Sequence, residues 1–117
     1  MAERRLWNKK LFREGEIVFK EGDQGNSAFL VEYGTIEVSK TVDGEKVSLA
    51  TLRQGEMFGE MALIDDDVRM ASAKAVDGAA ELLVVSREMF QKKMDNLDPF
   101  TRGLIKILAD NVRNAQK

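Results

Sequence analysis

The sequence contains no cysteine and no histidine, and it has a single proline. Without cysteine there are no disulfides, no thiolate nucleophiles and no cysteine-held metals, a composition that fits a reducing compartment. Without histidine, imidazole bases, Ser-His and Cys-His dyads and nearly all zinc, copper and non-haem iron sites are excluded as well. Only carboxylate, hydroxyl, lysine and tyrosine chemistry remains, so the expectation is a protein with no catalytic residues and no metal. No apolar run approaches the roughly 18 residues of a membrane-spanning helix. No apolar segment of a secretory leader follows Met1-Ala2-Glu3-Arg4-Arg5, and a cytoplasmic location with no membrane partner is expected. Excess positive charge is also missing: 18 Lys and Arg stand against 20 Asp and Glu. The basic residues Arg4, Arg5, Lys9 and Lys10 are few and interrupted, which argues against a nucleic-acid surface.

What is present suits one compact unit. With 117 residues, 44% hydrophobic and 32% charged, the chain reads as one domain over 1–117 that is large enough to bury a core. From residue 16 onward, short β-branched and aromatic runs alternate with glycine. Segments 16–20, 28–33, 35–40, 46–52, 70–76 and 81–86 each read as strands. Val42-Asp43-Gly44-Glu45 lies between two alternating segments and reads as a hairpin turn, because glycine tolerates positive φ there. Ser86 is an N-cap for a helix over 87–96, and Asp98-Pro99 opens a second helix over 99–115. A short helix is expected over 3–10. The fold class is therefore mainly β with flanking α-helices, an antiparallel barrel over 11–86 followed by two C-terminal helices.

The segment over 58–73 carries the chemistry. Phe58-Gly59-Glu60, Ala62-Leu63, Arg69, Ala71 and Ser72 resemble the phosphate-binding cassette of the cyclic-nucleotide-binding domain family, shared by protein kinase A regulatory subunits, gated channels and the bacterial catabolite activators. The likeness extends outward. Phe19-Lys20-Glu21-Gly22-Asp23 looks like the family's early Glu-Gly-Asp turn, Ala28-Phe29-Leu30-Val31 and Gly34-Thr35-Ile36-Glu37-Val38 like the strands after it, and 82–90 like the last strand and the next helix. The resemblance implies a jelly-roll barrel with a short phosphate-binding helix.

A cyclic nucleotide offers one phosphodiester charge, a ribose 2′-hydroxyl and a flat base. Gly59 permits close backbone approach, residues 60–64 can form one helical turn with free N–H groups, and Arg69 offers a planar fork for two phosphate oxygens. Glu60, an acceptor when ionised, suits the ribose hydroxyl. The resemblance assigns those roles to Glu60 and Arg69 and adds backbone N–H contacts from Ala62, Met70 and Ala71. Together with Phe58, Gly59, Met61 and Ser72 these are the expected ligand-binding residues. Bland alternatives are a solvated loop or a Glu60–Arg69 ion pair in an empty tip. Asp65-Asp66-Asp67 lacks calcium-loop spacing and reads as a solvated tip; Met57, Met61 and Met70 read as core or pocket lining. Neither a dinucleotide fingerprint nor a P-loop occurs.

The leading expectation is a non-enzymatic cyclic-nucleotide sensor that prefers cAMP to cGMP. In the family a Thr directly after the cassette Arg goes with guanine recognition, and here Met70 stands there; Ser72 retains a hydroxyl, so discrimination is modest. The alternatives are a degenerate domain serving as a structural or protein-interaction module and, remotely, a cupin-type enzyme. Over 99–115 the apolar residues span an arc of about 200°, wider than one core needs. Either the barrel and the preceding helix absorb it, or Leu104, Leu108 or Val112 form a lid over the base, or the helix pairs with its copy in a homodimer. Family members in bacteria often continue into a DNA-binding helix-turn-helix. Here the chain stops at Lys117, so a stand-alone, bacterial-like domain without DNA binding is expected, weakly favoured by Met1 over a fragment of a larger regulator with an unknown downstream partner.

Overall fold

Two long strands frame the molecule, and the rest of the sheet hangs on them. In chain order the elements are β1 (Asn8–Phe12), β2 (Ile17–Phe19), β3 (Ser27–Val42), β4 (Glu45–Leu52), β5 (Met57–Phe58), a one-turn 3-10 helix (Glu60–Leu63), β6 (Ser72–Ser86), α1 (Arg87–Asp95) and α2 (Pro99–Ala115). This computed structural model describes residues 8–63 and 68–115, apart from the side chains of 112, 113 and 115. β3 and β6 run antiparallel from Ser27↔Ser86 to Ser39↔Ser72. β4 lies beyond β3 and β1 beyond β6, giving the order β1-β6-β3-β4, with β2 paired to β6 and β5 to β3. The fold is the expected jelly-roll type, mainly antiparallel β with two C-terminal helices, although the strand path is open rather than closed into a barrel.

Each long strand was expected as two short ones, and the burial pattern shows why. To the main core β6 contributes Ala73 and Ala75, then Ala80 and Leu82, and β3 contributes Phe29 and Val31, then Ile36, while buried Ala28 and Val85 belong to a second, smaller cluster. The inward face passes from odd to even positions midway along both strands. A flat strand keeps one phase, so the switch requires an inserted kink. The register indeed shifts on both sides of Tyr33, while Asp77 and Gly78 take positive φ of 57° and 114°. The strands continue through these bulges and bend, and both halves reach one core built from Phe12, Phe29, Val31, Ile36, Phe58, Ala73, Ala75, Ala80 and Leu82.

Local signals in the sequence are matched elsewhere. Asp43 and Gly44 have φ of 53° and 82°, the pair of positive values that a two-residue hairpin of type I′ needs. The Ser86 side chain accepts the N–H of Met89 at 3.1 Å and opens α1. Asp98 opens α2, accepting the Thr101 N–H at 2.9 Å and its hydroxyl at 2.6 Å. Those bonds hold the Asp98 carboxyl below its ordinary pKa, so the cap is intact at neutral pH and is lost only as pH falls through that lowered value.

One expected element is corrected. Residues 8–10, assigned to an N-terminal helix over 3–10, are strand: Asn8, Lys9 and Lys10 pair with Val84, Leu83 and Leu82. The open edge of β6 supplies hydrogen bonds that outweigh a weak local helix preference. Residues 3–7 of that expected helix lie outside the described residues. The two-residue strand β5 was not foreseen. No described helix is long and apolar enough to cross a membrane.

Gly34 tests the bulge. Its φ is +94°, and a Cβ there would meet the Ala79 carbonyl oxygen at 2.5 Å and Ala80 at 2.6 Å, whereas Gly44, at φ +82°, faces open space. Gly44→Ala should cost only the left-handed backbone strain, about 1–2 kcal/mol, and Gly34→Ala distinctly more. Urea denaturation of both variants checks the order; equal losses would contradict a close approach at Gly34.

Candidate functional site

Three stretches of chain far apart in sequence meet around one guanidinium. The turn after β2 holds the backbone of Arg69 through two hydrogen bonds: Gly22 N–H to the Arg69 carbonyl at 2.8 Å, and Arg69 N–H to the Asp23 carbonyl at 2.7 Å. The expected Glu-Gly-Asp turn therefore has a mechanical task, pinning the returning cassette. From this anchor the Arg69 side chain runs inward and is buried. Its Nη2 donates to the Ser27 carbonyl at 2.7 Å, and its Nη1 to the Gly59 carbonyl at 3.2 Å. The guanidinium carbon lies 4.1 Å from the centre of the Phe19 ring and 5.7 Å from that of Phe29. Burial lowers the Arg69 pKa from its ordinary value, partly offset by the charge of Asp23; arginine remains a cation throughout.

Two glycines make room for this side chain. A Cβ on Gly25 would overlap the Arg69 guanidinium, and one on Gly59 would lie 2.9 Å from Nη1. Gly59 also has φ +74°, so both its conformation and its lack of a side chain are used. It sets the chain into the 3-10 turn over Glu60–Leu63. There the Ala62 N–H returns to the Gly59 carbonyl at 3.2 Å. One oxygen thus accepts from Ala62 and Arg69 together.

The remaining expected residues are placed as follows. Phe58 is buried and pairs with Phe29 across β5 and β3. Glu60 is exposed at the start of the turn, Met61 is half-buried, and Ala62 is buried. Met70 is 58% exposed beside Arg69, and Ala71 is half-buried. The Ser72 hydroxyl accepts the Glu21 N–H at 2.9 Å, binding the start of β6 to the early turn. Asp65, Asp66 and Asp67 lie outside the described residues, as does the Val112 side chain. Among the described residues no group of three or more acidic side chains is placed to hold a metal ion.

The structure adds participants that the sequence reading did not assign. Arg87, seen only as the opening residue of a helix, donates to the Ala62 carbonyl from Nε at 3.0 Å and Nη2 at 2.7 Å, and its N–H binds the Asn26 carbonyl at 2.8 Å. It therefore ties α1 both to the cassette turn and to the loop before β3. Ser27 acts through its main-chain carbonyl, which leaves no side-chain signal. Phe19 is marked in sequence only as the residue that leads into the Glu-Gly-Asp turn, with nothing to show that its ring meets Arg69.

At the C-terminal end, Arg102 closes over α1 by donating to the carbonyls of Met94, Asp95 and Leu97. The apolar face of α2 stays uncovered: Phe100 is 78% exposed, Ile107 59%, Leu108 54% and Leu104 46%. The barrel and α1 do not absorb the wide apolar arc, which removes the simplest of the three readings of this helix.

Comparison with known proteins agrees with this geometry. The family model described as the cyclic nucleotide-binding domain matches residues 9–96. The chain is 36% identical over 110 residues to the cyclic AMP receptor protein of Thermus thermophilus, covering 93% of this chain and 50% of that protein. It is 32% identical over 108 residues to cGMP-dependent protein kinase 2 of Mus musculus, covering 91% of this chain and 14% of the kinase. The chain thus spans half or less of these relatives. Among solved structures, the half-site-occupied form of the EAL enzyme Bd1971 superposes with a TM-score of 0.85 at 31% identity, over 95% of this chain and 99% of that chain. The Thermus thermophilus catabolite activator protein superposes with a TM-score of 0.79 at 34% identity, over 98% of this chain and 56% of the other. The cassette residues grouped around Arg69, the jelly-roll frame and these matches have one common explanation: the chain belongs to the cyclic nucleotide-binding domain family.

Proposed function

We propose that this chain is a non-enzymatic sensor that binds a cyclic nucleotide through 58–72, prefers cAMP to cGMP, and answers to occupancy through α2. The observation that carries the reading is the convergence of the Ala62 N–H and the Arg69 Nη1 on the single Gly59 carbonyl oxygen. Two donors that share one oxygen are close enough together to share a phosphodiester instead, and an anion is the better acceptor. Arg69 would hold two phosphate oxygens, with backbone N–H groups of Ala62, Met70 and Ala71 beside it, and exposed Glu60 would accept from the ribose 2′-hydroxyl. Phe58, Gly59, Met61 and Ser72 shape the surroundings. Support for a nucleotide ligand comes from relatives whose names specify cAMP and cGMP, and from structures described as cAMP-bound and cGMP-bound forms of Bd1971.

Isothermal titration of the protein with cAMP and cGMP is the direct test. A charge-assisted hydrogen bond is worth roughly 1.5–3 kcal/mol, so Arg69→Ala should weaken cAMP binding by about one to two orders of magnitude with the fold retained. Unchanged affinity in both Arg69→Ala and Glu60→Ala would remove the site assignment. A folded protein giving no heat with either nucleotide would instead make this a structural module of the same fold.

Selectivity should follow Met70. It stands directly after the cassette arginine and offers no hydroxyl to a guanine amino group, while the Ser72 hydroxyl already accepts from Glu21. cAMP should therefore outcompete cGMP, and Met70→Thr should shift the ratio toward cGMP; tighter cGMP binding by the unaltered protein would reverse the assignment.

For α2 the exposed row of Phe100, Leu104, Ile107 and Leu108 needs a cover. Either the helix closes over the base as a lid or it pairs with the same helix of a second copy. Hydrogen exchange of residues 99–115 with and without cAMP should reveal a change in protection. Identical protection in both states, with a monomeric sedimentation profile, would rule out lid and dimer alike.

A further inference from the structure

We propose that Phe19 is a positioning residue for Arg69, an aromatic platform that holds the guanidinium ready for an anion in the role a buried carboxylate would otherwise fill. The inference rests on the reading of Arg69 as the phosphate-holding side chain.

A buried cation without a counter-charge is costly, and a paired carboxylate is the usual remedy. Arg69 is only 9% exposed, yet among the described residues it forms no ion pair. The Asp23 carboxylate acts on it through its charge alone, with no hydrogen bond to the guanidinium, and its Oδ2 accepts the Lys20 N–H at 3.0 Å. Two main-chain carbonyls and the ring faces of Phe19 and Phe29 take the place of a counter-ion. At 4.1 Å from guanidinium carbon to ring centre, Phe19 is well within the distance at which an aromatic face attracts a cation, and the attraction grows when water is excluded.

The chemistry of the platform suits an anion site better than a carboxylate would. A guanidinium has five N–H donors, all lying in its plane. A carboxylate partner binds in that plane, commonly two-pronged, and brings a negative charge that repels an incoming phosphate. A ring touches only the flat face. It stabilises the cation, consumes no donor and adds no net charge, so that beyond the bonds to Ser27 and Gly59 the in-plane edge stays available.

The ring is itself held firmly. Phe19 pairs with Ala73 where β2 meets β6, and its centroid lies 5.9 Å from that of Phe29 and 6.0 Å from that of Phe58. Phe58 is the first residue of the cassette, so one aromatic cluster joins the platform to the strand that delivers the turn. Gly25 and Gly59, with no side chains, leave the space that the guanidinium occupies over the ring.

Two measurements test the inference, one of them needing no nucleotide. In NMR spectra of the ligand-free protein the Arg69 Nε–H proton should be shifted by the ring current of Phe19, with the shift retained in Phe19→Tyr and lost in Phe19→Leu. An unshifted proton in the unaltered protein would overturn the platform whatever the protein binds. In cAMP titrations Phe19→Leu should weaken binding roughly ten- to thirtyfold and Phe19→Tyr, which keeps the ring face, should bind like the unaltered protein. In an Arg69→Ala background Phe19→Leu should add almost nothing, since the partner is already gone. An equal loss in both backgrounds would make Phe19 a merely structural residue and defeat the inference. Absence of cAMP binding by the folded, unaltered protein would count against the nucleotide reading, and the ring-current shift would still decide the contact.

Discussion

The burial of one arginine organises this end of the molecule. Arg69 has its backbone pinned by the turn after β2, its side-chain donors on the carbonyls of Ser27 and Gly59, and its flat face on Phe19. Those partners come from β2 and its turn, from the start of β3 and from the residue after β5, and the guanidinium touches all three stretches. A solvated arginine would impose none of this, because water would satisfy its donors at little cost. Taking it out of water makes every neighbour matter.

That arrangement depends on the frame behind it. β3 delivers Ser27 and Phe29, and β6 carries the chain away from Arg69 and on to Ser86, the cap of α1. Their antiparallel pairing, with Ser27 opposite Ser86, puts the start of α1 next to the loop that leads into β3. Arg87 uses this proximity, grasping the Ala62 carbonyl with two donors while its own N–H binds Asn26. Behind it, Ala28, Leu63 and Val85 form a small second core with Met89 and Phe90 against it. The cassette turn and α1 are therefore joined by a polar link and an apolar contact together. Arg102 continues the chain of contacts by binding carbonyls at the end of α1. Contacts thus run from the cassette turn through α1 to α2 in the folded chain.

α2 shows a different balance of forces. Its N-terminus is well secured by Asp98, yet much of its apolar surface remains in water. A helix in that state gains free energy from whatever covers it. Capping places the helix, and the described residues do not cover the face that carries Phe100, Leu104, Ile107 and Leu108.

Much of this protein was determined by short-range chemistry that a sequence displays directly. Asp43-Gly44, Ser86, Asp98-Pro99 and the cassette are local patterns, in which turn dihedrals, caps and the φ of Gly59 depend on residues a few positions apart. They put the hairpin, both helices and the 3-10 turn after Gly59 in their places. The tertiary structure decided what depends on contact between distant segments. Residues 8–10 became strand because β6 offered an edge; four expected strands became two because bulges at Gly34 and at Asp77-Gly78 let the inward face change phase while pairing continued. The surroundings of Arg69 belong to the same class. Ser27 lies 42 residues from it and acts through a carbonyl that every residue possesses, and the motif that begins at Phe19 gives no sign that its ring meets Arg69. A motif can name the cation, but only folding brings together the main-chain oxygens and ring faces that make its burial affordable, because those groups acquire meaning from position rather than from identity.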